Sequence, residues 1–153
     1  MSPLYLEDLA PGMSFENGPV TVTAEEIKEF AARFDPQAFH LDEKAGAESF
    51  FQGLAASGWH TASLTMRLMV TGTMPLAAGY IGAGGEVTWT KPVYAGDALT
   101  VRVEVLEVIS SRSKPDRGFA LLRCDTRNQR GETVQVLKAR VMVPRRQIPG
   151  LRA

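Results

Sequence analysis

Residues 53–72 read GLAASGWHTASLTMRLMVTG, and the architecture turns on what this stretch becomes. Its apolar residues fall on nearly every side of a helical projection, and a helix of that kind is normally enclosed rather than laid on a surface. Something else in the chain must therefore wrap it. The nearly uncharged region extends from Gly53 to Glu86, which raises the question of a membrane span. Gly, Ser, Thr, His and Pro are scattered through it, and Arg67 falls inside its most apolar part, a costly position at the centre of a bilayer. The stretch predicts a buried soluble helix that stops at Gly72.

The wrapping comes from the second half of the chain, where the period changes. From Gly84 onward branched and aromatic residues alternate with polar ones: Val87 and Trp89 share one face, and in LTVRVEVLEV Leu99, Val101, Val103 and Val105 face one way while Thr100, Arg102 and Glu104 face the other. ALLRCDTR and TVQVLKARVMV follow, parted by a tight turn at Asn128 to Gly131, with SKPDRG before them. Long strands joined by short hairpins predict an antiparallel sheet with one buried face. A sheet that must bury a face and an apolar helix that must be covered solve each other's problem, so the expected class is α+β, with the sheet around the helix.

Upstream, TAEE at Thr23 to Glu26 is a capping box, and Ile27, Phe30, Ala31 and Phe34 recur at the spacing of one helical face. Asp35-Pro36 ends that helix, because the residue before proline is pushed out of the helical region. A polar, loosely helical stretch from Leu41 to Phe51 then leads to the long helix.

The 153 residues, 44% hydrophobic and 22% charged, fit one domain spanning 1–153, with no internal repeat or linker. Seventeen basic residues balance seventeen acidic ones, so no global field recruits nucleic acid or anionic lipid; Arg145 and Arg146 form the one basic cluster. A single cysteine, Cys124, excludes an intrachain disulfide framework, and the start MSPLYLEDLAPG lacks the basic and apolar regions of a signal peptide, which makes a cytoplasmic location the expectation.

Three short stretches carry candidate chemistry. In FDPQAFHLD, Asp35 and His40 stand five positions apart, a spacing that matches neither one strand face nor one helix face. On spacing alone the pair reads first as turn chemistry and a packing histidine. It becomes an acid and a base around one water only if the loop folds back on itself. In SGWH, Gly58 at the opening of a helix offers an amide that no side chain blocks, where the helix dipole favours developing negative charge. Close packing of helix on sheet explains that glycine equally well. His60 reads as a buried, hydrogen-bonded residue. GAGG at Gly82 to Gly85 leads into a strand and lacks a following Lys-Ser or Lys-Thr, so it predicts a bulge or turn and not a phosphate loop. His40, Asp42 and His60 have no recognised metal spacing, so no metal site is expected. Ser49, Ser57, Ser63 and Cys124 show no nucleophile elbow.

FDPQAFHLD, then FFQGLAASGWHT, the apolar helix and KPVYAGDALTVRVEV together resemble the MaoC-like dehydratases, whose best-known members are (R)-specific enoyl-CoA hydratases. The resemblance runs from about Leu6 to Val143, and the Asp35 and His40 pair followed by Leu41-Asp42, with Gly58, is its most specific part. It implies a hotdog fold and a homodimer or higher homo-oligomer. It also implies that Asp35 and His40 hold the water added to a trans-2-enoyl thioester, with His40 as principal base and Asp35 as its partner and proton donor, roles open to exchange within a coupled pair. The Gly58 amide would bind the thioester oxygen, with Ser57 and Trp59 beside it in the substrate site. No cofactor is implied, since coenzyme A enters as part of the acyl-CoA substrate. Lys91, Arg145 and Arg146 are candidates for its phosphates, and Arg67 for a substrate carboxylate, although each also reads as a solvated charge. Pro36-Gln37 and Ser57-Gly58 depart from the family's Asn-Pro and His-Gly, which puts substrate preference in doubt rather than reaction class. The alternatives are a hotdog acyl-CoA thioesterase and a non-catalytic acyl-thioester-binding subunit.

Overall fold

The computed structural model describes residues 2–146. Five strands form one antiparallel sheet in the order β1-β3-β4-β5-β2, where β1 is Ser14–Thr21, β2 Ile81–Trp89, β3 Ala98–Ser110, β4 Arg117–Arg127 and β5 Thr133–Pro144. The alternation read in β3 holds: Leu99, Val101, Val103 and Val105 are at most 1% exposed. Val101, Val103 and Val105 meet Ala120, Leu122 and Cys124 of β4 and Val141 and Val143 of β5 in one apolar layer, and Leu68 and Met69 of the long helix close it. Each such aliphatic side chain contributes about 1.5–3 kcal/mol relative to exposure, so this layer dominates the fold's stability. The GAGG stretch is the predicted irregularity, a register shift between Gly82 and Gly84 inside β2.

Helix α1 (Ala24–Phe34) starts where the capping residue places it, with the Thr23 hydroxyl accepting from the Glu26 amide at 3.1 Å. Ile27 and Ala31 are fully buried, whereas Phe34, expected on the same face, is 68% exposed, its ring set against Phe30 at 5.0 Å in the last turn. Two short helices follow, α2 (Ala38–Leu41) and α3 (Glu43–Ala47), the latter capped by Asp42. The loosely helical stretch from Leu41 to Phe51 thus holds one short helix, α3, and α2 lies ahead of it in the loop read from sequence as a turn.

The long helix, α4, spans Gly58–Gly72, five residues shorter at its start than the apolar run predicts. Residues 53–57 are extended instead, because their backbone has better partners outside a helix: the Ala56 amide bonds the Val93 carbonyl at 2.8 Å and the Ala95 amide the Leu54 carbonyl at 3.2 Å. A second apolar cluster of Ile27, Leu54, Ala56, Val93, Leu99 and Val134 rivets this segment and α1 to the sheet.

Enclosure of α4 is one-sided. Thr61, Thr65, Leu68 and Met69 are buried, but Trp59, Met66 and Val70 are 59%, 42% and 54% exposed. Every residue of edge strand β2 except Val87 is exposed as well. The sheet of one chain covers one face of the helix, and the all-round apolar pattern leaves the other bare. No helix among the described residues is long and apolar enough to cross a membrane.

Strand β1 escapes the sequence pattern, because Asn17-Gly18-Pro19 interrupts its alternation and a register shift between Asn17 and Val20 absorbs the irregularity. Arg145 and Arg146, the basic cluster, reach back to Glu7 and Asp8 near the chain start in ion pairs, at 3.4 Å and 2.5 Å.

Candidate active site

Asp35 is the C-cap of α1, and the loop does fold back after it. The Gln37 amide turns onto the Asp35 carbonyl at 2.7 Å, the His40 amide onto the Gln37 carbonyl at 2.9 Å, and α2 then presents the imidazole to the carboxylate. His40 Nε2 lies 3.3 Å from Asp35 Oδ2, and the two side chains are 5% and 18% exposed. Five residues of separation become one adjoining pair because proline ends one helix and a single turn begins the next.

The proton of the neutral imidazole has a defined place. His40 Nδ1 is 2.6 Å from the Ala55 carbonyl oxygen, which accepts only, so Nδ1 is the donor and Nε2 faces Asp35 with its lone pair. Phe39 stands edge-on to the ring at 4.5 Å and Phe51 at 5.9 Å, which walls it from bulk water and strengthens the polar contacts it makes. The extended 53–57 segment is what delivers the Ala55 carbonyl, and Tyr94 holds the preceding loop by donating its hydroxyl to the Phe51 carbonyl at 2.5 Å.

Partial burial works against the Asp35 carboxylate, yet the nearby Ser57 hydroxyl, the Gln37 amide and the positive charge of His40 when its ring is protonated outweigh it and hold the pKa below the ordinary carboxylate value. Gln37 Nε2 donates to Oδ1 at 2.6 Å, a bond that gives the departure at Pro36-Gln37 a definite task. The Ser57 hydroxyl is wholly buried and makes no formed hydrogen bond, so it acts on Asp35 as a nearby dipole. Asp35 is ionised at neutral pH and accepts protons before it can donate one.

Across the cleft, Ser57 is the N-cap of α4 but makes no side-chain capping bond, and Gly58 and Trp59 are its first two residues. Amides in a first turn have no intrahelical acceptor, and the helix dipole adds to their positive potential. Asp35, Gln37, His40, Phe51, Gly58, Trp59, Trp89 and Lys91 line this one cleft of about 410 Å³. A β-carbon on Gly58 would stand 2.6 Å from Trp89 Cε2, so the close-packing reading of the glycine holds. Among the lining groups, Gln37 stands out in the sequence only as a departure from the family's motif, and Trp89 is passed over as a site residue. The alternation of β2 only puts Trp89 on one face with Val87, and nothing local signals that its indole, 42% exposed, reaches the start of α4.

Other candidates lie elsewhere. Lys91 is at the cleft but paired with Glu132, and Arg67 lines a separate cleft with Arg33 and His60. Burial pushes the Cys124 thiol up to about 12, which removes it as a nucleophile. His60 is buried as expected, stacked on Phe30 at 4.8 Å, but its Nδ1 has no hydrogen-bond partner. Burial lowers its pKa against the opposing pull of Glu26, so the folded protein holds it neutral. The unfolded chain therefore binds the proton first as pH falls, and this stability is full above about 6.5 and lost as pH falls through the lower folded value. Between about pH 7.5 and 5.5 the melting temperature should drop more steeply in the wild type than in His60→Phe; equal slopes in thermal melts would assign the pH dependence to other groups.

A model of the MaoC like domain matches residues 8–120. The crystal structure of the MaoC-like dehydratase from Rhodospirillum rubrum is 54% identical and superposes with a TM-score of 0.92, over 95% of this chain and 99% of that one. The (R)-hydratase PhaJ1 from Pseudomonas aeruginosa is 26% identical with a TM-score of 0.74, over 99% and 97% of the two chains. A 3-hydroxybutyryl-CoA dehydratase of Methylorubrum extorquens is 31% identical over 145 residues, 94% of this chain and 87% of that one. The five-stranded antiparallel sheet on one long helix is the hotdog fold of these proteins. With 113 of its 153 residues inside the matched domain, counted from 8 to 120, this chain belongs to the MaoC-like dehydratase family.

Proposed function

We propose that the protein adds water across the double bond of a trans-2-enoyl thioester, an enoyl-CoA, to give the 3-hydroxyacyl thioester, and runs the reverse dehydration. The carrying observation is the Asp35 and His40 pair, 3.3 Å apart, in one cleft with Gly58 at the start of α4. A water between two acceptors, Nε2 and Oδ2, is held by both its protons and turns its oxygen lone pairs outward to C3. As the C3–O bond forms, one water proton passes to the pair and the electron pair of the C2–C3 double bond moves toward the carbonyl oxygen. The Gly58 amide meets that enolate charge where it develops, in a site that needs no rearrangement to do so. The pair then returns the proton to C2. Because Asp35 is ionised at rest, the proton delivered to C2 is the one the water gave up, and no separate acid is required.

Ser57 and Trp59 flank the amide as the rest of the substrate site. The relatives act on acyl-CoA thioesters by name in one case, a 3-hydroxybutyryl-CoA dehydratase, which favours coenzyme A as carrier. The bare face of α4 at Trp59, Met66 and Val70, beside the exposed edge strand β2, supports a second copy of the chain as its cover. Incubated with crotonyl-CoA, the purified protein is expected to give a product heavier by one water with its thioester intact. Release of free thiol instead would establish a thioesterase, and tight binding without turnover a binding subunit.

A further inference from the structure

A polar network under α4 is unusual for its place. Trp89 and Gln135 face each other across β2 and β5, and the indole Nε1 donates to Gln135 Oε1 at 2.9 Å. Gln135 is wholly buried, and its Nε2 donates to Thr65 Oγ1 at 3.0 Å. Thr65, also wholly buried, gives its own proton to the Thr61 carbonyl at 2.9 Å and is 2.6 Å from Thr126 Oγ1. One donated proton and two filled lone pairs exhaust what the Thr65 hydroxyl can do, so with Thr61 holding its proton the Thr126 hydroxyl is the donor of that last bond. Buried polar groups cost free energy unless fully paired, and a fully paired set fixes geometry more narrowly than apolar side chains of equal volume.

At the open end of this network the indole does two things. Its face lies against Gly58, where an added β-carbon would come within 2.6–2.9 Å of three ring atoms, and its edge partner is Trp59, with ring centroids 5.1 Å apart at 84°. Helix α4 is thus held at two points, by hydrogen bond at Thr65 and by contact at Gly58. We propose that Trp89 and Gln135 are positioning residues that act through this contact to fix where the Gly58 amide meets the thioester oxygen. The inference rests on the hydratase reading above.

The test uses crotonyl-CoA kinetics on the full chain, with Trp89→Phe, Gln135→Met and the double variant. Trp89→Phe keeps a ring on Gly58 and deletes the N–H, while Gln135→Met keeps volume and deletes both hydrogen bonds. A displaced amide loses the charge that develops in the transition state and little ground-state binding, so each variant should lower kcat on the order of tenfold with KM within about twofold. Because both act through one contact, the double variant should be no slower than the slower single. Should Gln135→Met lose its cooperative melt, Trp89→Phe carries the comparison of kcat with KM alone. Unchanged kcat in folded variants, a change confined to KM, or losses that multiply in the double variant overturn the relay. If the wild type fails to hydrate any enoyl-CoA, the functional reading falls and the relay with it; hydration by the wild type with unmoved variants removes the relay only.

Discussion

Replacing His40 by alanine is expected to lower kcat on a trans-2-enoyl-CoA by at least about a hundredfold, the scale of a positioned proton-transfer group, while the cooperative melt survives. The loss is chemical before it is structural. His40 contributes one hydrogen bond to the Ala55 carbonyl and aromatic contacts to Phe39 and Phe51, whereas the loop around it is held independently by Tyr94, Gly46 and the Ile27 cluster. Asp35→Asn should fall by a similar factor, because the amide keeps the shape and a partner for Gln37 but removes the charge that accepts the water proton. The two losses should not multiply, since removing either member leaves the water with one acceptor. A His40→Ala protein at wild-type rate would end the proposed mechanism.

Gly58→Ala is the second large effect. The new methyl has no flexible neighbour to push aside, because the indole it meets is pinned by Gln135 at 2.9 Å and by the edge of Trp59. Either the helix start or the indole must shift. Overpacking of this kind costs about 1–3 kcal/mol of stability. Displacing the Gly58 amide from its proposed place at the thioester oxygen should lower kcat on the order of a hundredfold. Adding Trp89→Leu to Gly58→Ala should recover melting temperature by opening the space that the methyl needs. Calorimetry on the two variants would check it, and a double variant no more stable than Gly58→Ala would show that the indole is not the obstacle.

Much of this fold is legible in the sequence. The alternation of Leu99, Val101, Val103 and Val105 dictates the buried face of β3, and Thr23 and Pro36 bracket α1, because these signals are local: each depends on residues within one turn or one strand pair. What failed was non-local. The start of α4 is set by Val93 and Tyr94, some forty residues downstream, whose backbone claims residues 54–56 for an extended run that their own apolar character does not predict. The bare face of α4 fails for a related reason, since a pattern that is apolar all round states that cover is needed without stating which chain provides it.

The site divides the same way. Asp35, His40 and Gly58 are visible as residue types in suggestive places, but their spacing alone favours a turn and a packing position. Convergence depends on the Ala55 carbonyl turning His40, and the Gln37 bond to Asp35 reads in sequence only as a departure from a motif. Trp89 and Gln135 were invisible because their meaning lies in a cross-strand pairing and a contact with a helix start, neither of which has a sequence period.

The central claim is that one water is held by Asp35 and His40 together, so that oxygen and proton reach the substrate from one side. Hydration of crotonyl-CoA in deuterium oxide, with the relative configuration at C2 and C3 read by NMR, tests it most directly. The account predicts a single diastereomer in which the deuterium at C2 lies syn to the new hydroxyl at C3. Anti addition, or a mixture of the two diastereomers formed during turnover, would place the proton donor on the opposite face and contradict it.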